Sequence, residues 1–159
     1  MSVVLWRIAQ ETRDYRADDV SGLGAARTGG RWNSPGRSVI YSSRSVALAY
    51  LESLAHLGRQ IPRDRFLVRI IVPDKVWNQA LWLKERELPK AWRAEPAGIG
   101  SMQFGDKWLT SRKSALLCLP SVIVPEDTNV LINPEHEDAH SVHARVERQL
   151  LFDPRVLRL

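Results

Sequence analysis

The sequence has a single cysteine, Cys118, among 159 residues. One cysteine forms no internal disulfide, and without a C-x-x-C pair or a cysteine–histidine cluster a structural zinc site is not expected. Long apolar runs are also lacking, since none approaches the roughly 18 residues that a membrane span needs. The first residues contain no basic stretch followed by an apolar one, so no signal peptide is predicted. These absences predict a cytoplasmic protein without membrane contact.

Common catalytic signatures are missing as well. The sequence contains no Walker A loop, no G-x-G-x-x-G, no G-x-S-x-G and no H-E-x-x-H. The four histidines are the remaining candidates for metal ligands: His56, His136, His140 and His143. His136 and His140 would share a face only on a helix, and Asn133-Pro134 favours a turn there. No metal site is therefore predicted.

The composition is that of a globular protein, with 44% hydrophobic and 26% charged residues. A chain of this length buries roughly 70% of its unfolded surface and is expected to form one domain, residues 1–159. The net charge is +5, and residues 20–51 contain four arginines and no acid. That stretch suits an anionic partner such as a phosphate, a nucleotide or a nucleic acid. A solvated basic surface explains the same charges.

Apolar patterning and turn residues divide the chain into more strands than helices. Strands are predicted at 3–9, 38–42, 65–72, 115–119, 121–124, 130–132 and 146–152. One clear helix is predicted at 46–57, capped by Ser43 or Ser45, with shorter helical segments at 82–87 and 107–112. Three glycines and a proline make residues 28–36 a loop. Because strands and helices do not alternate, the fold class is predicted to be α+β.

The residues best suited to chemistry lie between Gly29 and Glu52. Arg31 follows two glycines, which permit close backbone approach to a ligand, and arginine can bind a phosphate through two parallel hydrogen bonds. A plain surface turn is the alternative. Tyr41 ends a predicted strand, where it fits a core position or a site equally. Glu52 lies at the border of the apolar arc of the helix, so it either faces solvent or looks into a cleft.

Five segments of the sequence occur together in an order that resembles the RES-domain toxins of bacterial toxin–antitoxin pairs. They are Arg7-Ile8, Gly29-Gly30-Arg31-Trp32-Asn33, Val39-Ile40-Tyr41-Ser42-Ser43, Ala47-Leu48-Ala49-Tyr50-Leu51-Glu52 and Leu119-Pro120-Ser121. Residues 129–136 and 152–155 also look like family segments. The family is named after an arginine, a glutamate and a serine, which correspond here to Arg31, Glu52 and Ser121.

The resemblance implies an ADP-ribosyltransferase-like fold, with split mixed or antiparallel sheets flanked by short helices. It implies attack on the nicotinamide–ribose bond of NAD⁺ by phosphorolysis or hydrolysis, which depletes NAD⁺ and arrests growth. No cofactor is implied, although phosphate could be a co-substrate. The implied partner is an Xre-like helix-turn-helix antitoxin that covers the active site, and the toxin could form a homodimer within that complex.

Three other functions remain open at this point. An ADP-ribosyltransferase that modifies a cellular protein would use the same pocket. A nucleic-acid-binding module would fit the basic stretch, but the net charge is modest and no helix-turn-helix or RNA-binding motif is visible, so direct nucleic-acid binding is not expected. An inert member of the family would keep only the interaction, although all the motif residues are present.

The resemblance also implies a role for each site residue. The catalytic set is Arg31, Tyr41, Glu52 and Ser121, and the substrate-binding set is Arg7, Gly30, Trp32, Asn33 and Asn133. Arg31 would hold a phosphate group, Tyr41 would lie near the nicotinamide, and Glu52 would stabilise the ribosyl cation. Ser121 would hydrogen-bond the substrate or orient the nucleophile. A covalent role is not expected because no His/Asp pair accompanies it.

Overall fold

A computed structural model describes residues 1–58 and 60–157. Seven strands occur in these residues: β1 (Ser2–Gln10), β2 (Ile40–Ser43), β3 (Arg65–Pro73), β4 (Leu81–Trp82), β5 (Leu116–Pro120), β6 (Thr128–Ile132) and β7 (His143–Gln149). They form one sheet in the order β4-β5-β6-β2-β1-β3-β7. The pair β4–β5 is parallel and the other pairs are antiparallel.

The helices are few and short, which confirms the predicted α+β class. They are α1 (Leu23–Thr28), α2 (Val46–Ala55), α3 (Asp74–Trp77) and α4 (Ile99–Ser111), with 3₁₀ turns at Glu85–Glu87, Glu137–Ser141 and Pro154–Leu157. Ser45 caps α2 as one of the two predicted candidates, because its side chain accepts a hydrogen bond from the Leu48 N–H. No helix in the described ranges is long and apolar enough to cross a membrane.

The two halves of the sheet meet at one residue pair. Strand β1 pairs with β2 only through Trp6 and Ser43, whereas it pairs with β3 along its whole length. The four strands β4, β5, β6 and β2 therefore form one half, and β1, β3 and β7 form the other. This narrow junction agrees with the split sheet that the family resemblance implies.

The hydrophobic core lies on both faces of β5 and β6. Leu116 and Cys118 face one cluster of buried side chains, and Leu117 and Leu119 face another, as the alternation along a strand requires. Because both faces are covered, the strand is apolar without interruption. Burial raises the pKa of the Cys118 thiol to about 12, so this cysteine is an unreactive core residue.

One predicted strand is absent, and one predicted helical segment is part of a longer helix. Residues 121–124 are apolar but form a turn, because the Ser121 hydroxyl accepts the N–H groups of Ile123 and Val124 directly after β5. Helix α4 covers residues that were predicted as helical only at 107–112. The first half of its inward face presents Ser101 and Gly105, and the large apolar residues Trp108 and Leu109 come only near its end, so the apolar spacing indicates a helix only there.

Gly105 lets α4 pack against the backbone of the glycine-rich loop. A Cβ atom added at Gly105 would lie 1.7 Å from the carbonyl oxygen of Trp32. The adjacent Asp106 accepts hydrogen bonds from the Ser34 N–H, at 3.0 Å, and from the Ser34 hydroxyl, at 2.5 Å. Helix α4 therefore fixes the position of the loop that carries Arg31.

We expect Gly105→Ala to lower the free energy of unfolding by about 2 kcal/mol or more, because the helix must move away from the loop. Gly100→Ala, in the same helix, is the matched control, since a Cβ there meets no atom within 4 Å. It should be neutral or stabilising by up to about 1 kcal/mol. Chemical denaturation measures both variants, and equal effects would contradict the close packing.

Candidate active site

A cavity of about 600 Å³ opens at the junction of the two halves of the sheet. Six of the predicted site residues lie in its wall: Arg7, Gly30, Arg31, Trp32, Tyr41 and Glu52. They come from β1, the glycine-rich loop, β2 and α2, which are far apart in the sequence. Ser121 reaches this site through Glu52, whereas Asn33 and Asn133 lie outside the wall.

Glu52 looks into the cleft and is held there by two hydrogen bonds. Its Oε1 accepts the Ser121 hydroxyl at 2.7 Å and the Asn129 side-chain N–H at 2.6 Å. The position of Glu52 on the helix did not decide whether its side chain faces solvent or a cleft. These two contacts place the side chain in the cleft. Its other carboxylate oxygen, Oε2, accepts no hydrogen bond from the described residues and remains available to a ligand.

Ser121 is fully buried and its hydroxyl is saturated with hydrogen bonds. It donates to Glu52 and accepts the backbone N–H groups of Ile123 and Val124, both at 3.1 Å. A hydroxyl engaged in this way orients its partner, and no histidine base contacts it among the described residues. The geometry therefore favours an orienting role for Ser121 over a nucleophilic one.

Asn129 is a site residue that was not among the predicted ones. It lies on β6, donates to Glu52, and accepts the Ser43 hydroxyl at 2.7 Å. Asn129 lies in segment 129–136, which looks like a family segment, but within it only Asn133 was given a predicted role. One signal could have identified Asn129: it is a polar residue near the start of strand β6, directly before three apolar residues. Those three residues are fully buried in the structure.

Tyr41 and Asn33 shape the glycine-rich loop. The Tyr41 hydroxyl donates to Asn33 Oδ1 at 2.6 Å and accepts the Trp32 N–H at 3.0 Å. A Cβ on Gly30 would lie 2.8 Å from that hydroxyl, so the loop passes close to the ring. Burial raises the pKa of Tyr41 above its usual range, and the hydroxyl remains a proton donor.

Asn33 and Asn133 were predicted to bind substrate, and the structure gives both another task. Asn33 is fully buried and its Nδ2 donates to the carbonyls of Ala25 and Arg37. Asn133 donates to the Leu109 carbonyl at 3.0 Å and accepts the Glu135 N–H. Each satisfies backbone groups that would otherwise be buried without a partner, so neither side chain faces the cavity.

Most of the N–H donors of the Arg31 guanidinium bind one segment of the chain, residues 92–95. Its Nη1 donates to the carbonyls of Trp92 and Ala94, at 2.9 and 2.7 Å, and its Nη2 pairs with Glu95 Oε2 at 3.0 Å. The Arg31 side chain is only 17% exposed, whereas the Glu95 side chain is 82% exposed. Arg31 thus anchors residues 92–95 at the edge of the cavity.

Of the two predicted arginines in the wall, Arg7 has more unengaged donors than Arg31. Its one hydrogen bond within the described residues is to the Asp19 carbonyl at 3.3 Å. Burial lowers the pKa of Arg7, and the neighbouring Asp19 opposes that shift, but an arginine stays charged at neutral pH. Arg7 is therefore better placed than Arg31 to meet an anionic group in the cavity.

The histidines do not assemble a metal centre. The Nδ1 of His56 contacts the carbonyl of Glu52 at 2.8 Å, and His136 Nδ1 accepts the Asp138 N–H at 3.1 Å. In ranges 1–58 and 60–157, no group of three or more histidine, cysteine, aspartate or glutamate side chains could hold a metal ion.

A family model described as "RES domain" matches residues 4–153 of the chain. The chain belongs to the RES domain family. It is 50% identical over 159 residues to the "Prs ADP-ribosylating toxin" of Sphingobium sp. (strain YBL2), covering 99% of each chain. It is 36% identical to the "Toxin Res" of Yersinia enterocolitica, covering 97% of this chain and 99% of that one. Both RES-domain relatives are named as toxins, and the similarity spans nearly their whole length.

The RES fold also occurs in a solved structure. The neighbour is the "M.tuberculosis MbcT-MbcA toxin-antitoxin complex", with a TM-score of 0.58 and 18% sequence identity. The match covers 99% of this chain and 88% of the other. At this identity the likeness shows a shared fold and no more.

We expect Arg31→Lys to loosen residues 92–95 and lower the free energy of unfolding by about 1–3 kcal/mol. A lysine keeps the charge but cannot reach three acceptors with one planar group. Arg44→Lys is the matched control, because Arg44 is exposed and stacks over Trp77 at 5.0 Å, away from the cavity wall. Limited proteolysis and denaturation measure the effect, and equal small losses would make Arg31 an ordinary surface residue.

Proposed function

We propose that this RES-domain protein is the toxin of a toxin–antitoxin pair and cleaves the nicotinamide–ribose bond of NAD⁺. The observation that carries the proposal is the Glu52 carboxylate, held at Oε1 by two donors, in the wall of a cavity of about 600 Å³. That volume is within the range of small-molecule sites, and NAD⁺ is the substrate class that the family resemblance implies.

The proposed chemistry needs one well-placed negative charge. The carbon–nitrogen bond between C1′ and nicotinamide breaks, and its electron pair leaves with the ring, which becomes neutral. C1′ then gains positive charge, as in glycoside hydrolysis. A carboxylate that is already oriented stabilises this charge mainly in the transition state, which is what accelerates the step. Glu52 Oε2 would supply that charge.

The other wall residues would bind the ends of the substrate. Arg7 would donate to the pyrophosphate, because most of its N–H groups are not engaged within the described residues. The Tyr41 ring would pack near the nicotinamide, while its hydroxyl keeps the glycine-rich loop in shape. Arg31 would keep residues 92–95 at the edge of the site and offer its remaining donors to a phosphate oxygen. The proposed reaction uses no cofactor or metal.

The acceptor that attacks C1′ is phosphate, water or a protein side chain. Phosphorolysis or hydrolysis is the first candidate. Transfer of ADP-ribose to a protein is the second, because a relative at 50% identity is named a Prs ADP-ribosylating toxin. In each case an acceptor oxygen or nitrogen bonds to C1′ as nicotinamide leaves, and a neutral acceptor also loses a proton to solvent.

Product analysis tests the reaction and separates the acceptors. Purified protein is incubated with NAD⁺ in the presence of EDTA, with and without phosphate, and with and without a Prs preparation. Nicotinamide release in at least one mixture supports the reaction class. The mixture that it requires and the second product, which is a phosphorylated ADP-ribose, free ADP-ribose or a modified protein, identify the acceptor. No nicotinamide release in any mixture would overturn the proposed function.

Glu52→Gln should lower nicotinamide release by about a hundredfold or more, the scale seen when one preorganised electrostatic contact is removed. The glutamine keeps the shape of the side chain, so folding and NAD⁺ affinity should change little. Glu85→Gln, an exposed change in a 3₁₀ turn, is the control. A Glu52→Gln variant that folds, binds and turns over like the parent would remove Glu52 from the mechanism.

The proposed partner is an antitoxin that covers the cavity. The structural neighbour was solved as a toxin–antitoxin complex, which supports a partner of that kind. Residues 20–37 contribute several wall residues, including Gly22, Gly24 and Thr28, so a cover would shield them. The family resemblance favours an Xre-like antitoxin and allows a toxin homodimer within the complex.

An antitoxin produced from the neighbouring gene should slow protease cleavage within residues 20–37 by about tenfold and stop nicotinamide release. The physical reason is occlusion, because a cleavage site under a bound protein is reached only after dissociation. Cleavage at the exposed Arg145–Arg148 segment of β7 serves as the internal control. An antitoxin that binds while NAD⁺ turnover continues at the parent rate would contradict occlusion.

A further inference from the structure

We infer that Asn129 is a positioning residue that holds the Glu52 carboxylate in its working orientation, and that the Ser43 hydroxyl restrains Asn129 in that task. The inference rests on the proposed function of Glu52. It assigns a task to a side chain that the predicted site does not include.

The first step is the geometry of Ser43 and Asn129. They are directly opposite partners in the antiparallel pair of β2 and β6, so their side chains lie on the same face of the sheet. The Ser43 hydroxyl donates to Asn129 Oδ1 at 2.7 Å. With its oxygen engaged, the amide presents its Nδ2 to Glu52, and the Nδ2–Oε1 distance is 2.6 Å.

The second step concerns the alternative amide orientation. A flipped Asn129 would place its oxygen against the Glu52 carboxylate, where two acceptors repel each other and no proton lies between them. It would also place its N–H₂ against the Ser43 hydroxyl. Because the carboxylate only accepts when ionised, the observed orientation satisfies all three groups. The acceptor-only carboxylate therefore selects the orientation in which Asn129 donates, and the Ser43 hydroxyl supports that orientation by donating to Oδ1.

The third step is the effect on Glu52. Its two donors arrive from different elements: Asn129 from β6, and Ser121 from the turn that follows β5. Both bind Oε1, so the carboxylate is fixed while Oε2 stays open to a ligand. A glutamate on a helix otherwise samples many rotamers, and each must be suppressed before it can stabilise charge. Asn129 supplies part of that restraint in advance.

The chain of contacts from Ser43 to Glu52 begins at the junction of the two halves of the sheet. Ser43 is the residue of β2 that pairs with Trp6 of β1. The contact from Ser43 through Asn129 to Glu52 thus starts at the point where the two halves meet. The position of the carboxylate is thereby tied to the strands that form the cavity, and not to α2 alone.

The test compares two variants with a matched control. Asn129→Leu keeps a similar volume but removes the donor, and kcat for nicotinamide release should fall by about tenfold or more with KM for NAD⁺ nearly unchanged. Ser43→Ala should lower kcat less, in the same direction, because Asn129 then loses one of its two side-chain restraints and keeps its bond to Glu52. Ser114→Ala is the control: it removes a buried hydroxyl that bonds Trp108 and the Leu116 carbonyl, outside the cavity wall. It should lower the melting temperature without lowering kcat.

The outcomes separate a positioning role from its rivals. A raised KM with unchanged kcat in Asn129→Leu would show that Asn129 contacts substrate directly and would overturn the inference. Unchanged kcat and KM would overturn it too. If Asn129→Leu does not fold, Ser43→Ala carries the same test. If Ser114→Ala lowers kcat as much as Ser43→Ala does, general destabilisation explains the loss of kcat, and the inference fails.

A second readout does not depend on activity. The side-chain N–H₂ signals of Asn129 in a nitrogen–proton spectrum should shift in Glu52→Ala and in Ser43→Ala, and stay in place in Ser114→Ala. If the Asn129 signals do not shift in Glu52→Ala, the contact between Asn129 and Glu52 is disproved, even in an active enzyme. If the parent releases no nicotinamide, the proposed function fails by itself, and the spectrum still decides whether Asn129 holds Glu52.

Discussion

The pairing of Trp6 with Ser43 joins the two halves of the sheet, and the candidate site depends on it. A longer ladder between β1 and β2 would continue the sheet and leave no opening at this edge. Because the strands meet at one pair, a cavity of about 600 Å³ lies beside them and takes its walls from both halves. Ser43 contributes its backbone to the junction and its hydroxyl to Asn129, so the same residue serves fold and site.

A carboxylate in a partly buried wall needs donors, and each donor needs partners of its own. Glu52 receives Ser121 and Asn129. Ser121 is in turn held by the N–H groups of the following turn, and Asn129 is held by Ser43. The network is complete except at Glu52 Oε2, which has no partner within the described residues. An orienting network with one open acceptor is the arrangement that a charge-stabilising carboxylate requires.

The sequence predicted the parts of the fold that rest on local pattern. Each end of strands β1 and β3 was predicted to within one residue, because apolar residues and flanking turns define these strands. It could not predict the direction of Glu52, because the cleft is made by β6 and the turn after β5. It could not predict the partners of Arg31 either, since Trp92, Ala94 and Glu95 lie about sixty residues away in a segment without a regular pattern.

The basic stretch at 20–51 has a different meaning in three dimensions. Arg27 pairs with Asp14 at 2.6 Å, Arg31 pairs with Glu95, and Arg37 donates to Thr110 at 2.8 Å. Charges neutralised or engaged one by one do not form the continuous positive surface that a polyanion needs. Arg7 has more unengaged donors than Arg31, precedes the stretch and lines the cavity. A small anionic group bound within the cavity fits this distribution better than a nucleic acid bound across the surface.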